Sequence, residues 1–189
     1  MSDHPISRFP VPPLEDLPAD IRDRITGVQE RSGFVPNVFL ALAGRPDEFR
    51  AFFAYHDALM ERAEGLSKAE RELIVVATSA RNDCLYCVVA HGAILRIRAK
   101  RPLLADQVAV NPHKADLSER ECHIVDFALQ MAERSASVTD DDLNAMRSHG
   151  FSDDEIWDIG AITAFFALSN RMANLTSLRP NDEFFTMGR

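Results

Sequence analysis

The chain has 189 residues, of which 46% are hydrophobic and 26% charged, a balance that suits one globular domain with its own core. The formal net charge of -8 argues against nucleic acid and anionic membranes as partners. No apolar run approaches the roughly 20 residues of a membrane helix, and the N-terminus lacks a signal-peptide pattern. We therefore expect a cytoplasmic protein, whose three cysteines do not form a disulfide framework.

The N-terminal segment is rich in proline. Five of the ten prolines fall within residues 1–18. Proline fixes φ and removes a backbone donor, so residues 1–17 are predicted to form an extended arm. The arm could wrap over its own domain or over a neighbouring subunit. Residues 18–189 are predicted to form a single all-α domain.

The first helices are predicted from apolar spacing and from proline positions. Apolar residues three or four positions apart from Leu17 to Val28 predict a helix that ends near Gly33. A short apolar helix is predicted over 37–42, and Pro46 suits the first turn of the next helix.

The starts of the later helices carry capping signals. Four pairs have the spacing of a capping box: Ser67 with Glu70, Ser118 with Glu121, Thr139 with Asp142, and Ser152 with Glu155. Asn82 or Asp83 is predicted to cap a helix that runs from Cys84 to about Lys100. No segment alternates as a strand does, so we predict an all-α fold with seven to nine helices.

The stretch NDCLYCVVAH, residues 82–91, holds two of the three cysteines and a histidine. Cys84, Cys87 and His91 are separated by three and four positions, which places them on one face of a helix. A helix N-terminus, a C-x-x-C pair and a neighbouring imidazolium each lower the pKa of a thiol. The adjacent Asp83 opposes this effect, because a carboxylate disfavours a thiolate.

Glu72 is the unusual residue of the preceding helix. An apolar run from Leu73 to Ala77 follows it, which predicts that its carboxylate is partly buried. A buried carboxylate is costly without a partner. His91 is therefore a candidate partner for Glu72, and an ion pair with Arg81 or Arg96 is the alternative.

The combined pattern E-x11-C-x-x-C-x3-H, formed by Glu72, Cys84, Cys87 and His91, resembles the core motif of the AhpD-like alkylhydroperoxidases. These proteins belong to the carboxymuconolactone decarboxylase superfamily. Three segments are similar to sequences of its peroxidase-related branch: GFVPN (33–37), ERELIVVATSARNDCLYCVVAHG (70–92) and LSNRMA (168–173).

The resemblance implies an AhpD-like helical fold that assembles as a homotrimer or a homohexamer. It implies reduction of a small hydroperoxide, in which Cys87 attacks the peroxide and Cys84 resolves the product. His91 and Glu72 would form the proton relay, and a thiol or dithiol would reduce the resulting disulfide. We find no motif for a metal, flavin or nucleotide, so no cofactor is expected.

The chain departs from the best-known members at Tyr86, where those members carry a second histidine between the cysteines. A phenol, with an ordinary pKa near 10, does not replace an imidazole as a base at neutral pH, but it can donate a hydrogen bond. Tyr86 is therefore a candidate substrate-binding residue. His56 is a second candidate, which could enter the pocket from another helix.

Other functions remain open from the residues alone. The cysteine pair also suits a general thiol–disulfide oxidoreductase, and the superfamily includes carboxymuconolactone decarboxylases, whose chemistry does not call for a redox pair. A redox-sensing or zinc-binding protein without enzymatic activity is the third alternative, with Cys122 or His123 as the fourth zinc ligand. Cys122 is otherwise expected to be a small buried residue. Asn170 and Arg171 are expected to be a structural cap or an interface contact.

Overall fold

The structure, a computed structural model, describes residues 5–189. These residues form ten α-helices, three short 3-10 segments and no strand. The helices are α1 (Ala19–Ser32), α2 (Asn37–Leu42), α3 (Pro46–Met60), α4 (Lys68–Arg81), α5 (Leu85–Ala99), α6 (Leu104–Val110), α7 (Glu119–Arg134), α8 (Asp140–Ser148), α9 (Asp153–Thr176) and α10 (Glu183–Thr186). The all-α prediction is confirmed, and the count exceeds the predicted nine by one, because α10 is a single turn without a clear sequence signal.

The four predicted capping boxes are all formed. Each N-cap hydroxyl accepts the N–H of the third helical residue, and the acidic side chain of that residue accepts the N-cap N–H. The short side chain of Asp142 suffices, since its Oδ2 lies 2.7 Å from the N atom of Thr139. Local sequence therefore fixes the starts of α4, α7, α8 and α9.

Helix α4 is the centre of the fold, and it packs against α5, α6, α7 and α9. Every residue from Arg71 to Ser79 is buried. Ile74 and Val75 contribute to the apolar cluster shared with α7 and α9, whereas Leu73 and Val76 contribute to the cluster shared with α5 and α6. An all-round buried helix of this kind is held by packing on every side.

A buried ion pair ties the start of α4 to α9. Arg71 has no exposed surface, and its Nη2 lies 2.9 Å from Oδ2 of Asp158, which is 3% exposed. The same guanidinium donates hydrogen bonds to the carbonyl group of Leu59 near the end of α3 and to those of Glu64 and Leu66 in the connection between α3 and α4. These bonds offset the cost of removing both charges from water.

The N-terminal segment lies on the domain to which it belongs. The N–H of Arg8 donates to the carbonyl of Thr176 at 2.7 Å, and the N–H of Arg179 donates to the carbonyl of Ile6 at 3.0 Å. Ser7 is buried beneath this contact. Residues 1–4 of the predicted arm, including His4, lie outside the described residues.

One residue of α7 differs from the sequence-based prediction. Cys122 is exposed and not buried, because it shares the outer face of α7 with Glu119 and Asp126 while the buried residues of this helix begin at Ile124. Within residues 5–189, no helix is both long and apolar enough to cross a bilayer.

Candidate active site

The connection between α4 and α5 positions the first cysteine. Asp83 adopts a left-handed conformation with a φ of 49°, and its N–H donates to the carbonyl of Ala80. The N–H of Cys84 donates to the carbonyl of Ser79 at 3.0 Å, which completes a Schellman motif. The chain then turns directly into α5 with Cys84 as the N-cap. The prediction that Asn82 or Asp83 caps α5 is therefore wrong, because both residues are needed to end α4.

The two cysteines lie one turn apart in an apolar cluster formed by α5, α9 and the C-terminal segment. Both are free thiols, and each is 1% exposed. The Cys87 sulfur lies 3.9 Å from the hydroxyl oxygen of Ser169 on α9.

Asn170 is a site residue whose role the sequence did not reveal. It is fully buried, its Nδ2 donates to Oγ of Ser79 at 2.9 Å, and its Oδ1 accepts from Nδ2 of Asn82 at 2.9 Å. Its amide also interacts with both cysteine sulfurs. Asn170 is thus held rigidly against the thiols and is more than the structural cap that we expected. The only indication in the sequence was that Asn170 lies in LSNRMA (168–173), a segment similar to the peroxidase-related branch.

The surroundings of Cys84 favour its thiolate. Hydrogen bonding from the Cys87 thiol, the Cys87 backbone N–H and the Asn170 amide, together with the positive charge of His91, lowers the pKa of Cys84 to about 7, against the opposing effect of burial. The same contact with Cys84, and burial, raise the pKa of Cys87 well above its ordinary value. The two shifts have opposite directions, so the contact between the thiols favours loss of a proton from Cys84 over loss of a proton from Cys87.

His91 and Glu72 form the predicted pair. Nδ1 of His91 lies 2.7 Å from Oε2 of Glu72, and both side chains are largely buried. With Nδ1–H donating to the carboxylate, Nε2 is the ring nitrogen left to exchange a proton. Glu72 pairs with neither Arg81 nor Arg96, the two alternatives.

The two arginines considered for Glu72 have other contacts. Arg81 pairs with Glu133 on the surface at 3.1 Å. Arg96 is buried and donates to the carbonyl groups of Phe184 and Met187. Arg96 thereby fastens the C-terminal segment over α5, next to the cysteine cluster.

Tyr86 lies beside the cysteines, but its hydroxyl is directed at α2. The hydroxyl oxygen accepts the backbone N–H of Val38 at 3.3 Å. Burial, the largest cause, and the nearby thiols raise the pKa of Tyr86 above its ordinary range. The phenol is therefore neutral and serves to join α5 to α2 in this structure.

His56 lies on α3, on the far side of an aromatic group from the cysteines. Its Nδ1 is 3.1 Å from Oδ1 of Asp57, and its ring is 6.4 Å from the ring of Phe166. Phe166 in turn packs edge-on against His91, with 4.8 Å between ring centroids. Phe166 thus lies between His56 and His91, and His56 makes no recorded contact with either thiol.

The described residues do not assemble a metal site. Among residues 5–189, no group of three or more histidine, cysteine, aspartate or glutamate side chains is arranged to hold an ion. In particular, Cys122 and His123 on α7 do not complete such a group with the cysteine pair. His123 instead stacks on His149, with 3.6 Å between ring centroids, at the edge of a groove of about 420 Å³ between α7 and α8.

Comparison with known proteins gives consistent results. Residues 46–102, which contain the whole glutamate, cysteine and histidine pattern, match the Carboxymuconolactone decarboxylase family. No match was found among curated proteins.

Solved structures cover almost the entire chain. An uncharacterized peroxidase-related protein from Ralstonia eutropha JMP134, described as an alkylhydroperoxidase AhpD core, is 67% identical, with 98% of each chain covered and a TM-score of 0.97. An uncharacterized peroxidase-related protein from Silicibacter sp. TM1040 is 37% identical over all of both chains, with a TM-score of 0.94.

A more distant neighbour shares the fold alone. The debrominase Bmp8 is 16% identical, with 97% of this chain and 95% of that chain covered and a TM-score of 0.76. From the two closer similarities and the site geometry together, the chain belongs to the carboxymuconolactone decarboxylase superfamily, in its AhpD-like, peroxidase-related branch.

Proposed function

We propose that this protein is a thiol-dependent hydroperoxide reductase in which Cys84 and Cys87 cycle between a dithiol and a disulfide. The observation that carries the proposal is the cysteine pair at the start of α5 with the His91 imidazole on the same helix, held by the Glu72 carboxylate of α4. A thiolate cleaves an O–O bond, and the imidazole supplies the proton that the departing alkoxide needs.

The surroundings of the pair suit a small, apolar hydroperoxide. The cysteine cluster is lined by Val38 and Ala41 from α2 and by Leu178 and Phe184 from the C-terminal segment. Apolar walls exclude water and favour a substrate with an alkyl group. Since both cysteines are 1% exposed, side chains of this lining must move to admit the substrate.

Turnover requires a reductant of the thiol or dithiol class, because the disulfide formed by one peroxide must be reopened. A reducing compartment such as the cytoplasm supplies thiols of this kind. A small dithiol fits best, since the cysteines lie beneath the surface and a protein reductant would need to displace α2 or the C-terminal segment.

We also propose that the protein is a homo-oligomer, as its family resemblance implies. The outer face of α9 presents an apolar stripe made of Trp157, Leu168, Met172 and Leu175, of which Trp157 is 75% exposed. Large exposed apolar patches often mark surfaces through which proteins associate. Sedimentation velocity is expected to show a trimer or hexamer, and Leu168→Glu should dissociate it, whereas Val110→Glu on α6 should not. A monomeric wild-type protein would refute the proposed homo-oligomer.

General thiol–disulfide exchange is the second candidate. The low pKa of Cys84 at the start of a helix favours it, since the first cysteine of a C-x-x-C pair is the usual nucleophile toward disulfides. A carboxymuconolactone decarboxylase activity has no comparable support, because that reaction does not use a redox pair.

The test is a thiol count on the reduced Cys122→Ser protein, since the exposed Cys122 would add to the signal. One equivalent of tert-butyl hydroperoxide is expected to remove both remaining thiols rapidly. If peroxide leaves the thiols intact while a small disulfide oxidises them, the protein is an exchange catalyst and not a peroxidase.

A further inference from the structure

The hydroxyl of Ser169 on α9 lies against the sulfur of Cys87 on α5. The two atoms are 3.9 Å apart, within reach of a hydrogen bond to sulfur, and the two residues are 82 positions apart in the sequence. Ser169 is 8% exposed and Cys87 is 1% exposed. A buried hydroxyl is costly without a hydrogen-bond partner, so the contact between the two side chains has an energetic basis.

Ser169 differs from the buried threonines of this fold. Thr78, Thr163 and Thr176 each donate their hydroxyl to the carbonyl of the residue four positions earlier in the same helix. Among residues 5–189, the Ser169 hydroxyl has no recorded hydrogen bond other than its contact with Cys87. A hydroxyl has one proton, and a bond back to its own helix occupies it. The proton of the Ser169 hydroxyl is therefore available to the sulfur.

A hydroxyl suits both protonation states of a thiol. It has one donor and two acceptor lone pairs, so it can accept from a thiol and, after rotation about its C–O bond, donate to a thiolate. A hydrogen bond to a charged atom is the stronger of the two. The contact with Cys84 and burial raise the pKa of Cys87, and the side chains of Asn170 and Ser169 oppose that shift.

We propose that Ser169 is a positioning residue for the redox pair, which orients the Cys87 sulfur and stabilises the negative charge that this sulfur carries during turnover. The proposal rests on the proposed hydroperoxide reductase function. It adds a residue of α9 to a site otherwise built from α4 and α5, and it holds whichever cysteine attacks the peroxide.

The chemistry places a negative charge on Cys87 in either order of attack. One cysteine thiolate attacks the distal peroxide oxygen, an S–O bond forms, the O–O bond breaks and the alkoxide leaves. The other cysteine, as a thiolate, attacks the sulfenic acid, the S–S bond forms and hydroxide leaves. The two thiol protons end on the alcohol and the water, and the two thiols supply two electrons to the peroxide. Each cysteine attacks once, so Cys87 is a thiolate in one of the two steps.

The titratable groups around Cys87 are unaffected by a change at Ser169. The cluster members that α2, α9 and the C-terminal segment contribute are apolar and uncharged. The titratable side chains nearby belong to α5 and α4, and they are Cys84, Tyr86, His91, Arg96 and Glu72. Ser169→Ala removes a hydroxyl and alters none of these charges, so a shift in the ionisation of Cys87 reports the hydroxyl itself.

The first experiment measures the ionisation of Cys87 alone. Cys84→Ala with Cys122→Ser leaves Cys87 as the single thiol, and its thiolate absorbance at about 240 nm is followed as the pH is raised. The same protein with Cys87→Ala supplies the tyrosine background. Adding Ser169→Ala is expected to lower the ionisation constant of Cys87 by about 3- to 10-fold, because the thiolate loses a donor.

The matched control is Thr163→Val, which removes another buried hydroxyl from α9. This hydroxyl donates to the carbonyl of Ile159, so the midpoint of Cys87 should not change. Equal midpoints with serine and with alanine at position 169 would overturn the proposal and leave Ser169 as a residue that only packs between α9 and α5.

The second experiment uses the Cys122→Ser protein with both site cysteines and tert-butyl hydroperoxide. Stopped-flow rates over a range of peroxide concentrations separate the attack on peroxide, which depends on that concentration, from the resolution step, which does not. Ser169→Ala is expected to slow one of the two phases by about 2- to 4-fold at pH 7, since the loss of thiolate is partly offset by its greater nucleophilicity. Two unchanged phases would refute the role of Ser169 in turnover.

The two experiments distinguish failure of this proposal from failure of the proposed function. If none of the proteins reacts with peroxide, the hydroperoxide reductase function is refuted. A shifted midpoint of Cys87 in Ser169→Ala would then still support the stabilisation of its thiolate, because that measurement uses no peroxide.

Discussion

Nδ1 of His91 lies 2.7 Å from Oε2 of Glu72, across the interface between α4 and α5. This contact fixes which nitrogen of the imidazole carries a proton and leaves Nε2 available for proton exchange. The two helices are joined by a three-residue connection that also makes Cys84 the N-cap of α5. The same packing therefore positions both the His91–Glu72 pair and the first cysteine.

Glu72→Gln is expected to slow peroxide reduction by at least about 10-fold, since an amide does not stabilise the imidazolium that forms during proton transfer. The rate of disulfide formation by tert-butyl hydroperoxide, followed by stopped flow over a range of pH, measures the effect. The matched control is Glu133→Gln, which removes a surface carboxylate paired with Arg81. An unchanged rate and pH profile in Glu72→Gln would exclude Glu72 from the relay.

The thiolate of Cys84 is expected to titrate with a midpoint at pH about 7, because its hydrogen bonds lower its pKa to that value. The peroxide rate should rise through the same range as the pH increases, since the thiolate is the reactive form. Absorbance of the thiolate at about 240 nm, in the Cys122→Ser background, provides the measurement. A single midpoint above about 8.5, the ordinary thiol value, would contradict the predicted stabilisation.

Asn170→Ala is expected to shift this midpoint upward, because it removes a donor from the Cys84 sulfur. The far-ultraviolet circular dichroism spectrum should remain that of the wild type, which separates the electrostatic effect from misfolding. Asn144→Ala, an amide deletion on the surface of α8, serves as the control. A midpoint that does not move would show that Asn170 holds the fold and has no effect on the thiols.

Tyr86→Phe is expected to lower the free energy of unfolding by about 1–2 kcal/mol, since it leaves the partly buried N–H of Val38 without this acceptor. The peroxide rate should change by less than about threefold, because the hydroxyl donates to neither sulfur and its neutral form is not a base. Urea denaturation and stopped-flow kinetics test the two parts. A large loss of rate at wild-type stability would restore Tyr86 as a substrate-binding residue.

Asp158→Asn is expected to destabilise the fold by about 3–5 kcal/mol, because it leaves the charge of Arg71 buried and without its counter-ion. Urea unfolding curves at neutral pH provide the comparison. Glu48→Gln, which breaks an exposed pair with Arg45, should leave the curve unchanged. Equal midpoints for the two variants would mean that the Arg71 guanidinium is satisfied by its three carbonyl partners alone.

The local sequence determined the secondary structure to a large extent. Capping boxes beginning at Ser67, Ser118, Thr139 and Ser152 gave four helix starts correctly, because each box satisfies backbone donors with side chains three residues away. Gly33 ended α1 as predicted, since its φ of 83° is readily available only to glycine. The motif spacing also identified the cysteine pair, His91 and Glu72 as one group.

The tertiary structure decided the features that depend on packing between distant segments. Asn170 lies 91 positions from Ser79, and only the packing of α9 on α4 brings its amide to the end of α4 beside the cysteine pair. Cys122 has the spacing of a buried residue, yet its position relative to the neighbouring helices leaves it exposed. The opposite pKa shifts of the two cysteines arise in the same way, because the groups that cause them come from both α5 and α9. Spacing over three or four residues determines which side chains share one face of a helix. Contacts between distant segments determine which groups surround each side chain in the folded chain.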